Sequence, residues 1–201
     1  MKIIIILVLA IVGIFVIFQV YATMSTQKTE TQPYKVIRVE KDFEIRFYPA
    51  ATMAVVSSKV RTYKELGSSG FRKLAGFIFG GNQDKKQIAM TSPVHMDFGD
   101  SVSTMAFVLP EGYQVGNVPK PNDPGITIKT SEPEYVAVVT FDGFASDDKI
   151  GEQKKKLEKV LNEQGLKHYG NFRFLGYNPP YQLFGRRNEV IVSLYADQLM
   201  N

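Results

Sequence analysis

An α+β fold is predicted for this 201-residue chain by three features of its pattern. Short segments of alternating apolar and polar side chains read as half-buried strands, and two segments carry apolar residues at helical spacing behind capping residues. Both kinds recur at one constant offset. Phe43-Glu44-Ile45-Arg46 aligns with Ile126-Thr127-Ile128-Lys129, Met53-Ala54-Val55-Val56 with Val136-Ala137-Val138-Val139, and Leu74, Phe77 and Ile78 with Leu157, Val160 and Leu161, each pair 83 positions apart. Strand, strand and helix in one register predict two pseudo-repeated halves, each a sheet with one long helix. Antiparallel sheets joined in this way can curl into a barrel that hides their edges.

At the amino terminus, residues 3–18 contain no polar side chain, and apolar character continues to Ala22. A helix over residues 3–22 would be roughly 30 Å long and able to cross a hydrocarbon layer, whereas secretory h-regions run about 7–15 residues. Residues 1–22 therefore read as a transmembrane anchor. Val20-Tyr21-Ala22 also offers a signal-peptidase site, so a signal peptide cleaved after Ala22 is the alternative. Lys2 and the free amine, the only charges before the segment, place the amino terminus in the cytoplasm and the domain outside it: single-pass, or exported if cleaved. Residues 23–33 are rich in Ser, Thr, Gln, Lys and Glu and read as a flexible linker. The folded domain is expected over residues 34–201.

Within it, residues 34–39 and 43–48 alternate as two strands around a Lys41-Asp42 turn, and residues 53–56 supply a more buried third. Thr62 and Glu65 form a capping-box pattern ahead of Leu66, Phe71, Leu74, Phe77 and Ile78, and Gly80-Gly81 stop that helix. Gly67, Ser68, Ser69 and Gly70 weaken its first half. Further strands are expected over residues 103–109, 126–129, 135–140 and 189–195. A stronger helix runs from about residue 147 to 164 with Gly165 as its stop.

Composition excludes several kinds of chemistry. Without cysteine there is no disulfide framework, thiolate nucleophile or cysteine-ligated cluster. The excess of 24 basic over 20 acidic residues is small and scattered, which argues against a nucleic-acid partner. Two histidines, His95 and His168, lie too far apart for a local zinc motif, and no nucleophile elbow or phosphate loop is present. Glu44, Asp97, Glu132, Glu134, Asp142 and Glu189 read as surface charge, and Lys154-Lys155-Lys156 as a solvated helix face.

The segment from Gly176 to Val190 joins Tyr177, Asn178, Pro179, Pro180, Tyr181, Arg186, Arg187, Asn188 and Glu189 ahead of an apolar strand. It resembles the carboxyl-terminal signature of the SOUL, or haem-binding protein, family: G-Y-D/N-x-P, a short stretch, then R-x-N-E-V. Ile88-Ala89-Met90-Thr91-Ser92-Pro93-Val94 resembles that family's M-T-x-P-V element, residues 43–48 its Y-E-I/V-R-x-Y strand, and Phe141-Asp142-Gly143-Phe144 its aromatic turn. The resemblance covers nearly all of residues 34–195. It implies a distorted antiparallel eight-stranded β-barrel with two long helices, and a monomer that binds haem or another tetrapyrrole without catalysis, as carrier, buffer or sensor. An envelope interaction module without ligand, or an enzyme acting on a hydrophobic small molecule, are the alternatives.

The resemblance further implies an apolar cleft between the first helix of the domain and the proline loop. A flat macrocycle with anionic propionates needs apolar walls and a cation at the mouth. Phe71, Leu74, Ala75 and Ile78 would form one wall, Tyr177, Pro179, Pro180 and Tyr181 the opposite rim, and Arg72, Lys73, Arg186 or Arg187 the charge. On the plainer reading, Leu74 and Ile78 are ordinary core, Tyr177 and Tyr181 brace the loop, and Asn188 and Glu189 satisfy loop amides or an arginine. His95 is the better candidate for an axial iron ligand, and His168 the weaker. Phe47 stands where some relatives carry histidine, and a phenyl ring cannot ligate iron.

Overall fold

The computed structural model describes residues 1–199, so the expected domain end at Asn201 lies outside the described residues. The chain begins with α1 (Lys2–Gln27), the one helix among those residues long and apolar enough to cross a membrane. Strands β1 (Glu30–Thr31), β2 (Lys35–Val39), β3 (Glu44–Tyr48) and β4 (Thr52–Ser58) lead to α2 (Tyr63–Ile78). Next come β5 (Thr91–Ser92), β6 (Val94–Phe98), β7 (Ser103–Val108), β8 (Ile126–Thr130) and β9 (Glu134–Asp142). The chain ends with α3 (Asp147–Glu163), β10 (His168–Gly176), β11 (Arg187–Leu194) and a 3₁₀ turn over Ala196–Leu199.

Nine strands form one antiparallel sheet in the order β2-β3-β9-β11-β10-β6-β7-β4-β8, so the expected eight-stranded barrel is not formed. Its two ends, β2 and β8, stay apart as free edges. Burial reflects the open edges: β2 is exposed along its whole length, Val36, Ile37 and Val39 included, and β8 buries only its first residue. Lys35 and Arg38 on one edge and Lys129 on the other oppose pairing with another sheet. The 83-residue offset reappears in this order for β3 with β8, β4 with β9 and β7 with β11, while β6 and β10 lie at a shorter spacing. Matching β3 with β8, β4 with β9, β7 with β11 and β6 with β10 makes the sequence of strands from β3 to β8 read the same from either end. In that arrangement β3 pairs with β9 and β8 with β4, each crossing to the opposite half.

Both helices cover the same face. Ala54, Val56, Met105 and Phe107 pack with Leu66, Leu74, Phe77 and Ile78 of α2. Ala137, Val139, Val190 and Val192 pack with Leu157 and Leu161 of α3. Thr62 caps α2 by accepting a hydrogen bond from the Glu65 amide at 3.2 Å, and Ser146 caps α3 in the same way through Lys149 at 3.3 Å. The glycine that weakens α2 as an isolated helix serves its seating: a Cβ on Gly70 would lie 3.2 Å from Met105 of β7. Strands β6 and β10, which pair at the centre of the sheet, were not anticipated by alternation alone.

Residues 23–33, expected as a flexible linker, are instead structured. The hydroxyls of Thr23 and Thr26 bond back to the carbonyls of Gln19 and Ala22, carrying α1 to Gln27. Glu30 and Thr31 then pair in parallel with β5, and the Gln32 amide donates to the Ser92 carbonyl at 2.8 Å. Polar residues solvate a chain only while its backbone lacks partners, and here β5 supplies them.

The seating of α2 yields opposite effects at two of its glycines. Gly70→Leu is expected to lower stability by about 1–3 kcal/mol through overpacking against β7. Gly76, where a Cβ meets nothing within 4 Å, should gain about 0.5–1 kcal/mol as Gly76→Ala. Denaturant unfolding followed by circular dichroism separates the two.

Candidate functional site

The face of the sheet opposite α2 and α3 carries the polar residues. Strand alternation sends Met53, Val55, Ala106 and Val108 to this side, where they form an apolar strip. Beside it lies a groove of about 460 Å³ whose floor includes Met53, Val55 and Ala106 and whose walls include His95, Arg173 and Glu134. The turn from Lys129 to Glu134, between β8 and β9, forms one rim. Its volume falls within the range of about 300–1,000 Å³ usual for small-molecule sites.

Each polar wall residue is fixed by a partner. Arg173 on β10 grips both carboxylate oxygens of Glu134 at 2.8 and 2.7 Å, and the Ser193 hydroxyl donates to the same group at 2.6 Å. Burial would raise the Glu134 carboxyl, but the hydrogen bonds and charge of Arg173, with Ser193, outweigh it and hold the group below the usual carboxylate range. His95 on β6 lies 2.7 Å from Gln32 through Nε2. Burial, then the charge of Arg173, press its pKa down to about 3, so the imidazole is neutral. With Gln32 accepting the Nε2 proton, the lone pair is on Nδ1, which has no hydrogen bond among the described residues.

A second cluster lies further along the same face, around Glu189 of β11, which is 0% exposed. Arg46 of β3 and Arg187 both donate to its Oε1, at 2.9 and 2.6 Å, and the Tyr177 hydroxyl donates to Oε2 at 2.8 Å. Arg46 stacks over the Tyr34 ring and Arg187 over the Tyr177 ring, each 4.3 Å from the centroid. Although burial opposes the charge of Arg46, Glu189 outweighs it and raises the guanidinium further above its ordinary value.

The residues expected to line a cleft between α2 and the proline loop lie apart from the groove beside His95. Leu74 and Ile78 are buried in the core beneath α2, and Phe71 packs edge-on against Phe107 at 5.3 Å. Ala75 is half-buried and Arg72 exposed, while Lys73 pairs with Asp123 at 3.4 Å. The loop does approach α2, but at its start: Arg186 and Tyr63 are close enough for the guanidinium charge to act on the phenol. Phe71 is eight residues, about 12 Å, further along the helix axis.

Neither arginine of the pair is free for a propionate. Arg186 donates to the carbonyls of Pro179 and Gln182 at 2.7 and 2.6 Å and stacks on Phe144, bracing the loop from within, and Arg187 serves Glu189. Pro179 is half-buried, Pro180 exposed, and the Tyr181 ring faces Phe18 of α1 at 5.8 Å. Asn188 satisfies the Gly143 carbonyl at 2.8 Å and Glu189 the two arginines, as the plainer reading of these residues expects. His95 alone among the expected ligand contacts lines the groove; His168 packs edge-on against Phe172 at 5.1 Å.

Gln32, Glu134, Arg173 and the burial of Glu189 were not read from sequence. One signal was available: Glu189 directly precedes the apolar run Val190-Ile191-Val192 within one strand, and Arg46 lies between Ile45 and Phe47. A charge inside a strand buried on both faces must find a counter-charge.

Two consequences are measurable. An unfolded histidine takes up a proton near its ordinary value of 6.5, whereas His95 in the fold resists protonation until about 3. Its contribution is therefore intact above 6.5 and is lost as pH falls toward 3. His95→Gln should lose less stability than the unaltered chain between pH 7 and 4.5; equal losses would remove His95 as the cause. Separately, Glu189→Leu leaves Arg187 without its carboxylate and Arg46 with Glu44 alone, and should cost about 3–5 kcal/mol in denaturant unfolding.

Residues 29–193 match the family described as SOUL heme-binding protein. Heme-binding protein 2 of Mus musculus is 32% identical over 156 residues, covering 74% of this chain and 76% of the relative. Heme-binding protein 1 of Xenopus laevis is 28% identical over 165 residues, covering 77% and 86%. Among solved structures, the EcmrR C-terminal domain superimposes with a TM-score of 0.60 at 8% identity, over 81% of this chain and 98% of that one, a likeness of fold alone. With that match spanning the sheet, both of its helices and the proline loop, the chain belongs to the SOUL heme-binding protein family.

Proposed function

We propose that this chain is a membrane-tethered tetrapyrrole-binding protein, with haem the leading ligand, and that it binds without catalysing a reaction on it. Family membership over residues 29–193, with curated relatives named heme-binding proteins, carries the reading. The tether is α1, whose apolar run is long enough to span a bilayer, with the domain outside the cytoplasm.

The groove beside His95 is the place on the described face whose chemistry fits such a ligand. Met53, Val55 and Ala106 offer an apolar floor for a macrocycle, and Lys129 at the rim offers a cation for a propionate. His95 is neutral and has one nitrogen unclaimed, the state that iron ligation requires. Gln32 fixes the ring by accepting from Nε2, a supporting contact of the kind that orients metal-binding histidines. When bound, haem would supply an iron centre whose ligand from this chain is Nδ1 of His95. Arg173 and Glu134 neutralise each other and leave the groove without a large net charge. A carrier, buffer or sensor needs these properties and no general acid or nucleophile.

Parallel absorbance titrations of the full chain in detergent with haemin and with metal-free protoporphyrin test this. A saturable Soret change at micromolar protein is expected, and His95→Gln should weaken haemin binding by about 10-fold or more while leaving protoporphyrin binding nearly unchanged. No saturable change with either would overturn the proposal; unchanged haemin affinity in the variant would move the ligand away from His95.

A further inference from the structure

Between Asn178 and Arg187 the proline loop leaves the sheet and lies against α1. The Tyr181 ring faces Phe18, Gln19 Nε2 donates to the Tyr181 carbonyl at 3.1 Å, and the Leu183 amide donates to Gln19 Oε1 at 3.0 Å. Thr26 donates to Gln182 Oε1 at 2.7 Å. These contacts fix the depth of the loop. A span that begins at Ile3 and needs about 20 residues ends near Ala22, so the turn carrying Phe18 and Gln19 is just inside its outer end.

At that depth an irregular segment must satisfy its own backbone and present apolar side chains outward. Here apolar side chains face outward and several of the loop's backbone groups are bonded within the protein. Arg186 occupies the carbonyls of Pro179 and Gln182, Gln19 that of Tyr181, and the Gln182 side chain that of Phe184 at 2.9 Å. Pro179 and Pro180 have no amide hydrogen to satisfy. The Gln182 amide donates back to Pro179 at 3.2 Å. Around this internally bonded backbone, Tyr181 and Phe184 are 55% and 67% exposed, and Leu183 is exposed with them. Gln19, the one polar residue within the apolar run of α1, is buried with both ends of its amide engaged by the loop.

We infer that the tip formed by Tyr181, Leu183 and Phe184 enters the interfacial layer of a lipid bilayer beside α1, seating the domain on the membrane in a fixed orientation. Aromatic side chains concentrate at that layer, and an apolar tip exposed next to a spanning helix has the bilayer as its neighbour. The inference rests on the reading of α1 as a membrane anchor.

The chain contains no tryptophan, so a single introduced one reports its own surroundings. Full chain bearing Phe184→Trp, or Leu183→Trp as a second reporter, is reconstituted into phosphatidylcholine vesicles carrying bromine at shallow acyl positions. At least a twofold loss of fluorescence relative to unbrominated vesicles is expected for both. Phe79→Trp, equally exposed at 64% but beyond the far end of α2, should lose none. If the chain floats with vesicles and the loop reporters are quenched by aqueous acrylamide rather than bromine, the seating is overturned and the anchor stands. Equal bromine quenching at Phe79→Trp means unspecific adhesion of the whole domain and overturns it as well. A chain that does not float overturns both.

Discussion

Glu189 is a carboxylate without access to water, and the arrangement around it constrains much of the molecule. Its Oε1 takes Arg46 from β3, which belongs to the first half of the sequence, and Arg187 from β11, which belongs to the second. Two arginines on one side and Glu44 with Glu189 on the other leave the cluster balanced. Arg46 and Glu189 need their partners because either alone would be a buried charge. Such a cluster contributes less to net stability than an equal volume of apolar side chains could, but it admits one register. Shifting β3 by a single residue against β9 would turn Arg46 into the apolar core and Ile45 out of it.

The same cluster sets the loop that follows β10. Tyr177 reaches Glu189 through its hydroxyl, the Arg187 ring-stacking holds the Tyr177 ring, and Asn178 accepts the Arg187 amide at 2.6 Å. Arg186, one residue earlier, points the other way and gathers loop carbonyls. Two adjacent arginines thus do different work: one neutralises Glu189, the other holds the loop in shape. That division explains why neither is left to face a ligand, and why the loop reaches α1 as a preformed unit.

Legibility in the sequence followed the reach of each interaction. Alternation over residues 43–48, the capping hydroxyl of Thr62 and the stop at Gly165 are local, and the strands and helices they announce are present. The 83-residue offset is also a sequence property, and it reappears as the order of strands. Closure of the sheet was not legible, because it depends on whether two distant edges meet, and β2 and β8 stay at opposite ends of the strand order. The surroundings of the expected wall residues were hidden for a related reason. Leu74 and Ile78 have the same helical spacing whether they line a slot or fill a core, and only the second helix of the pair, lying on the same face, shows which side of the sheet is left open. His95 was marked by its rarity and its place directly after Val94, while Gln32 could not be found without knowing that β1 pairs with β5.

The segment between α1 and β2 now has a larger part than a tether. Gln32 touches His95, and Tyr34 stacks on Arg46 and packs against Tyr48 at 5.3 Å, so residues 30–34 cross the open face from the groove to the Glu189 cluster. A few residues before them the chain is a helix of membrane-spanning length docked on the proline loop. One continuous stretch therefore contacts the groove, the central charge cluster and the loop. A flexible linker would decouple the domain from its anchor, because an unstructured chain transmits little orientation. A bonded one does the reverse: any movement of α1 relative to the loop must strain either the Gln19 contacts or the β1-β5 pairing, and the second of these holds Gln32 against His95.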